Sequence, residues 1–151
     1  MIVRSATEAD LETLARLHAL AFTPSWDAEE IADLGSGPGG FALIAEGPDP
    51  CGMILCRTAV GEAEIYTIAV DPAARQRGVG RGLVEAAMVQ AARDGAREMF
   101  LEVSVENLAA LALYAATGFE RVGLRRGYYT VGYETPVDAV IMRRDLNTGA
   151  N

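Results

Sequence analysis

Between residues 64 and 93 the hydrophobic period of this chain changes from two to 3.6 across one glycine-rich turn. Glu64-Ile-Tyr-Thr-Ile-Ala-Val70 is dense in β-branched and aromatic residues, and Asp71-Pro72 ends it. After the turn Arg75-Gln-Arg-Gly-Val-Gly80-Arg-Gly82, residues Gly80 to Arg93 carry Leu83, Val84, Ala87, Met88 and Ala91 at helical spacing. A strand feeding through glycines into a helix start leaves unpaired N–H groups and the positive end of the helix dipole facing outward. Glycine also lets backbone approach a ligand closely, so the turn suits a phosphate or pyrophosphate; the alternative is a merely flexible turn. Arg75, Arg77 and Arg81 add positive charge there. They stand out against 13 Lys plus Arg and 21 Asp plus Glu, a net charge of -8. Such an acidic surface repels a nucleic-acid backbone, and direct nucleic-acid binding is not expected.

The rest of the chain supplies a sheet and its cover. Residues 2–5 read as a short strand, and Thr7 with Asp10 opens a helix over about 8–21. That helix has Leu11, Leu14, Leu17 and Ala21 as its stripe. His18, the sole histidine, follows the stripe by one residue and reads as a helix-surface or boundary residue. Trp26 precedes Asp27-Ala-Glu-Glu30, a second short helix ending at the glycine-rich break 35–40. Strand-like runs follow at 41–46, 51–60 and 62–70, with turns at Gly47-Pro-Asp-Pro50 and Gly61. Beyond the long helix come a strand from Met99 to Val105 and a helix capped by Asn107, carrying Leu108, Leu111, Ala112 and Ala115. Gly118 ends that helix, and strands over about 119–127 and 137–144 complete the pattern. No linker or repeat divides the chain. The expected architecture is one α/β (α+β) domain over 1–146, a mixed sheet flanked by helices, followed by a short loose tail at 147–151. The meander in the first half argues against a purely parallel sheet.

Cys51 and Cys56 lie five apart on a strand, which points them to opposite faces and leaves them as space-filling residues. With one histidine and no Cys-x-x-Cys pair, no metal site is expected. Cys–His covalent catalysis would have to be assembled by the fold. The opening MIVRSATEADLETL holds no apolar stretch of signal-peptide length, so a cytoplasmic location without membrane association is the expectation.

The Walker pattern is absent, and the spacing G-x-G-x-G, with Leu83 in place of the last glycine of G-x-G-x-x-G, departs from a dinucleotide fingerprint. Arg75-x-x-Gly78-x-Gly80 instead resembles the [QR]-x-x-G-x-[GA] loop of the GNAT acyltransferases, which cradles the pyrophosphate of acetyl-CoA. The motifs Ile68-Ala-Val-Asp-Pro72, Leu101-Glu-Val103, Ala112-Leu-Tyr-Ala115, Gly118-Phe-Glu120 and Arg125-Arg-Gly-Tyr-Tyr129, with Asn107, narrow that resemblance. They are similar to those of the bacterial ribosomal-protein-alanine N-acetyltransferases. The similarity is strongest from Ile65 to Met142.

The resemblance implies a mostly antiparallel sheet of about seven strands, with acetyl-CoA as co-substrate. It assigns the pantetheine arm to backbone groups of Ile68, Ala69 and Val70, and the pyrophosphate to Gln76, Arg77, Gly78, Val79, Gly80 and Arg81. Asn107 would contact the coenzyme. Glu102 would be the general base, and Tyr114 the acid that protonates the leaving thiolate. Trp26, Tyr128 and Tyr129 would border the acceptor, a protein or peptide N-terminus such as that of a ribosomal protein. The family's Tyr-Tyr-Pro here ends as Tyr128-Tyr-Thr130, its Pro-Trp is interrupted as Pro24-Ser-Trp26, and its small polar residues before the asparagine are Val105-Glu106. If extended, Tyr128 and Tyr129 face opposite ways, so one of them would meet substrate.

The chemistry fits an α-amine. Its pKa near 8 leaves about a tenth neutral at pH 7, whereas a lysine is harder to deprotonate by more than about two units. A carboxylate on a strand is an adequate, rigidly mounted base for it. Alone, Glu102 could be the polar member of an alternating strand, Tyr114 a core-boundary aromatic and Asn107 a cap. Two other functions stay open: transfer to a lysine, amino acid or small-molecule amine, and a coenzyme-binding module without turnover.

Overall fold

The computed structural model describes residues 1–129 and 135–146; Thr130, the rest of 130–134 and the 147–151 tail lie outside the described residues. Seven strands form one sheet: β1 (Ile2–Ser5), β2 (Gly40–Glu46), β3 (Pro50–Ala59), β4 (Glu62–Val70), β5 (Glu98–Ser104), β6 (Glu120–Tyr129) and β7 (Val137–Asp145). Their order is β1-β2-β3-β4-β5-β7-β6. Only the β4–β5 pair is parallel; the other five are antiparallel. The helices are α1 (Leu11–Ala21), α2 (Ala28–Gly35), α3 (Val79–Arg93) and α4 (Leu108–Ala116). The sheet is therefore the mixed, mostly antiparallel one anticipated.

Two apolar layers hold it. On one face Leu83, Val84, Ala87 and Ala91 of α3 pack over Leu43, Ala45, Ile54, Cys56 and Ile65. On the other, Leu14 and Leu17 of α1 and Ile31 of α2 cover Ile44, Met53, Leu55 and Ala69. Central strands buried on both sides read as unbroken apolar runs, as Met53-Ile-Leu-Cys56 does. Each such Leu or Ile contributes about 1.5–3 kcal/mol by leaving water. Both cysteines are free thiols; Cys56 is fully buried and its thiol is pushed up by that burial.

The parity of β4 reverses midway. Ala63 and Ile65 belong to the α3 layer, yet Ala69, also odd-numbered, belongs to the α1 layer, while Ile68 and Val70 pack on the α3 side. The cause is a β-bulge: Cys56 pairs with Ile65 and Leu55 with Thr67, so Tyr66 is an extra residue on β4. The parallel register with β5 runs from Glu62–Glu98 to Ile65–Leu101 and ends at that point. Beyond it, Thr67 to Val70 pair only with β3 and Glu102 to Ser104 only with β7. A wedge opens between the two strands.

The face of α4 differs from the expected stripe. Leu108 is 73% exposed, and Ala112 and Ala115 are exposed as well. Leu111 packs inward as expected, but it is joined there by Ala110, Leu113, Tyr114 and Thr117. With every residue of Leu-Ala-Ala-Leu-Ala-Leu-Tyr-Ala-Ala apolar, the helix carries no polar face to set its phase, and the fit of Tyr114 into the core decides it.

His18 also departs from expectation: it is buried, at 3% exposure. Its ring stacks on Phe22 at 4.5 Å and on Trp26 at 4.9 Å. Nδ1 accepts the Trp26 backbone N–H at 3.0 Å, and Nε2 lies 3.2 Å from Thr67 Oγ1. A partner from outside the helix, eight residues on, buries a position that helical spacing alone leaves at the boundary. Burial pushes the imidazole down from 6.5 to about 4. The folded state thus keeps the neutral ring, while the unfolded chain takes up a proton near 6.5. The stabilisation is complete above that pH and is lost as pH falls toward 4. Unfolding free energy measured in urea is expected to decline over pH 6.5 to 4 by up to about 1.4 kcal/mol per pH unit more in the wild type than in His18→Phe. Identical slopes in the two proteins would contradict a buried neutral histidine.

Candidate active site

The wedge is lined at its glycine-loop end by backbone. Asp71 Oδ1 accepts the Ala73 N–H at 2.9 Å, closing a single 3-10 turn over Pro72–Ala74. The chain then passes through two left-handed residues, Gln76 at φ 63° and Gly78 at φ 79°, before α3 begins at Val79. The N-caps of α2 and α4 spend their side chains on the helix: Asp27 accepts from Glu30 N at 2.9 Å and Asn107 from Ala110 N at 3.1 Å. Gly78 has no side chain to offer, so the first N–H groups of α3 stay directed outward. A Cβ on Gly78 would meet nothing within 4 Å, whereas one on Gly80 would come within 3.2 Å of Leu113. The first glycine supplies the left-handed turn and open space above it; the second lets α3 close on α4. Open space, outward amides and the exposed Arg75, Arg77 and Arg81 fit a pyrophosphate.

The opposite side of the wedge is built from side chains. Glu102 follows directly after the last β5 residue paired with β4. Its Oε1 accepts from Arg125 Nη1 at 2.7 Å, and Arg125 in turn lies over the Tyr128 ring at 4.5 Å. Glu64, from the paired part of β4, is held above the usual carboxylate range, first by burial and then by the Glu102 charge, while Arg125 opposes the rise. Tyr128 is raised likewise, by burial first and then by Glu102. Tyr129 reaches the same residue from its backbone side, its hydroxyl donating to the Glu102 carbonyl at 3.2 Å.

The two tyrosines therefore both bear on Glu102, and they do not face opposite ways as an extended strand would set them. The register of β6 on β7 shifts between Arg125 and Tyr129, and Gly127 sits at φ 62°, which breaks the simple alternation. Their rings meet edge to face at 5.1 Å.

Tyr114 stands inside the α3 layer at 4% exposure, edge-on to Phe119. Burial raises its phenol above the usual value, and Cys56 and Tyr129 add to the rise. It is kept as a neutral O–H, a weaker acid than a free phenol. Ile68, Ala69 and Val70 form the splayed end of β4 leading to the glycine loop. Trp26 sits on the α1 side and is joined to β4 through His18 and Thr67. Arg125 and Glu64 were not singled out from sequence as site residues. Arg125 does fall inside the Arg-Arg-Gly-Tyr-Tyr motif, whereas Glu64 looks like any exposed member of an alternating strand.

The fold and this wedge define an acyl-transferring enzyme class. The pattern of the Acetyltransferase (GNAT) family matches residues 10–119, and the chain belongs to that family of N-acetyltransferases. The N-alpha-acetyltransferase RimI of Mycobacterium tuberculosis is 39% identical over 95% of this chain and 91% of its own length. The [ribosomal protein bS18]-alanine N-acetyltransferase of Escherichia coli K12 is 39% identical over a shorter match, 58% of this chain and 59% of that enzyme. The crystal structure of the ribosomal-protein-S18-alanine N-acetyltransferase from Escherichia coli superposes with a TM-score of 0.87 at 27% identity, covering 96% of this chain and 93% of that one. Among the described residues no helix is long and apolar enough to cross a membrane, and no group of three metal-binding side chains occurs.

The charge arrangement is open to direct measurement. In Glu102→Gln the Glu64 carboxyl is expected to move back toward its ordinary value, because one like charge is gone. In Arg125→Gln it is expected to rise further, because the opposing cation is gone. Side-chain carboxyl NMR titration reads both shifts. A Glu64 that titrates alike in all three proteins would mean the groups do not share one site.

Proposed function

We propose that this chain is an N-terminal protein acetyltransferase that moves the acetyl group of acetyl-CoA directly to an α-amine, most like the alanine start of a small-subunit ribosomal protein. The observation that carries this reading is the likeness over nearly the full length of both chains to the mycobacterial N-alpha-acetyltransferase. The shorter match to the bS18-alanine enzyme supports the substrate class. An acidic chain suits a basic ribosomal acceptor. Residues 1–146 act as one catalytic domain in the cytoplasm.

The coenzyme half works by backbone. Backbone groups of Ile68, Ala69 and Val70, along the edge of β4 that no longer pairs with β5, hold the pantetheine arm as an added strand would be held. Gln76, Arg77, Gly78, Val79, Gly80 and Arg81 hold the pyrophosphate, and Asn107 contacts the coenzyme while still capping α4. An amide of β4 near Val70 polarises the thioester carbonyl.

The acceptor half works by side chains. Trp26, Tyr128 and Tyr129 border the incoming N-terminus. Glu102 takes a proton from the α-ammonium, directly or through a water, through the carboxylate oxygen that Arg125 does not hold. The freed amine attacks the carbonyl, the N–C bond forms and the C–S bond breaks, and the nitrogen sheds its second proton to water, which returns one to Tyr114 once it has protonated the sulfur. Tyr114, kept protonated by burial, donates its proton to the departing sulfur. A thiolate of pKa near 8.5 needs little assistance, so Tyr114 contributes orientation as much as acidity.

The assay uses acetyl-CoA and a peptide with a free N-terminal Ala and an internal Lys, read by fragment mass. Acetyl gain confined to the α-amine is expected; gain on Lys alone would overturn the N-terminal assignment while leaving an N-acetyltransferase. Glu102→Gln is expected to lower kcat by about 10²- to 10⁴-fold with coenzyme affinity unchanged in calorimetry. Tyr114→Phe is expected to lose about tenfold or more. Unchanged turnover in Glu102→Gln would remove Glu102 from the base role.

A further inference from the structure

We infer that His18 is a positioning residue for the acceptor: its imidazole ties the Trp26 loop to β4 just past the bulge, joining the acceptor wall to the coenzyme strand. The inference rests on the reading of Trp26 as an acceptor-side residue and adds what holds it there. Segment 23–26 links α1 to α2, and none of its residues makes a backbone–backbone hydrogen bond among the described residues. What anchors it is the Trp26 N–H on His18 Nδ1, at 3.0 Å, with the indole stacked on the imidazole at 4.9 Å and 7°.

That bond fixes the histidine's chemistry. An Nδ1 that accepts carries no proton, so the neutral ring has its hydrogen on Nε2 and donates it to Thr67 Oγ1, 3.2 Å away. Thr67 is the residue immediately after the bulged Tyr66 and immediately before Ile68. Both ring nitrogens are thus committed, one to each half of the site, and Phe22 holds the ring at 4.5 Å. A histidine that merely filled space would be replaced by phenylalanine without consequence for substrate. One that positions Trp26 would not.

Trp26 is the chain's single tryptophan, so its fluorescence reports on this loop alone. His18→Phe keeps an aromatic ring to stack and removes both hydrogen bonds. His18→Asn places a carbonyl oxygen where Nδ1 accepts. Thr67→Val removes only the strand-side partner. Expected for His18→Phe is a rise of about tenfold in KM for the acceptor peptide, with KM for acetyl-CoA within about twofold and kcat within about threefold. Acrylamide quenching of Trp26 should increase in parallel. His18→Asn should restore the low quenching and bring acceptor KM back to within about threefold of wild type, and Thr67→Val should fall between. Equal effects on both substrates, a change in kcat alone, or quenching unchanged in His18→Phe would each overturn the inference. Quenching needs no acceptor: should the wild type fail to acetylate any peptide N-terminus, the functional reading fails, while unchanged quenching in a folded Thr67→Val would fail the tether itself.

Discussion

Everything functional in this structure depends on one inserted residue. With Tyr66 unopposed on β3, β4 bends and parts from β5 after four pairs. Two consequences follow from the same event. The N–H and C=O groups of the next residues lose their sheet partner on one side, which makes them available to an extended ligand. The side-chain parity also reverses, so Ile68 and Val70 face the α3 layer and Thr67 faces α1. Without the bulge the parallel pairing would continue, Glu102 would flank a closed ladder, and the glycine loop would sit at the end of an ordinary strand.

The charge in the wedge is organised around Arg125. The Glu102 charge repels that of Glu64 and adds to the rise of its carboxyl. One guanidinium, exposed on its outer side and stacked over Tyr128, offsets that repulsion. The Tyr129 hydroxyl meanwhile satisfies the Glu102 carbonyl, so backbone and carboxylate of one residue are fixed by different neighbours on β6. A residue held at both ends is suited to a transfer that demands a set geometry.

Strand positions were almost wholly legible in sequence, because period-two runs bounded by Gly and Pro admit few alternatives. So was the glycine loop, where Gly78 supplies a left-handed turn and Gly80 a close approach to Leu113. Three features were not. The phase of α4 was hidden because an all-apolar helix has no polar side to read. The bulge was hidden because Tyr66 and Thr67 both favour strands, and an extra strand residue changes no local preference, only the pairing. The burial of His18 was hidden because its partners, Trp26 and Thr67, lie eight and 49 residues away. Local spacing predicts a face; only tertiary contact decides what covers it.

The division between legible and hidden follows the division of labour in the site. The glycine-loop side of the wedge is built from backbone, and backbone geometry leaves a signature in glycine, proline and β-branched residues. The opposite side is built from side chains whose arrangement depends on pairs distant in sequence: Glu102 with Arg125, Tyr129 with Glu102, Trp26 with His18. Of the departures from the family motifs, Pro24-Ser-Trp26 and Tyr128-Tyr-Thr130 belong to the segments proposed for the acceptor, Val105-Glu106 precedes Asn107, and the glycine loop keeps the pattern.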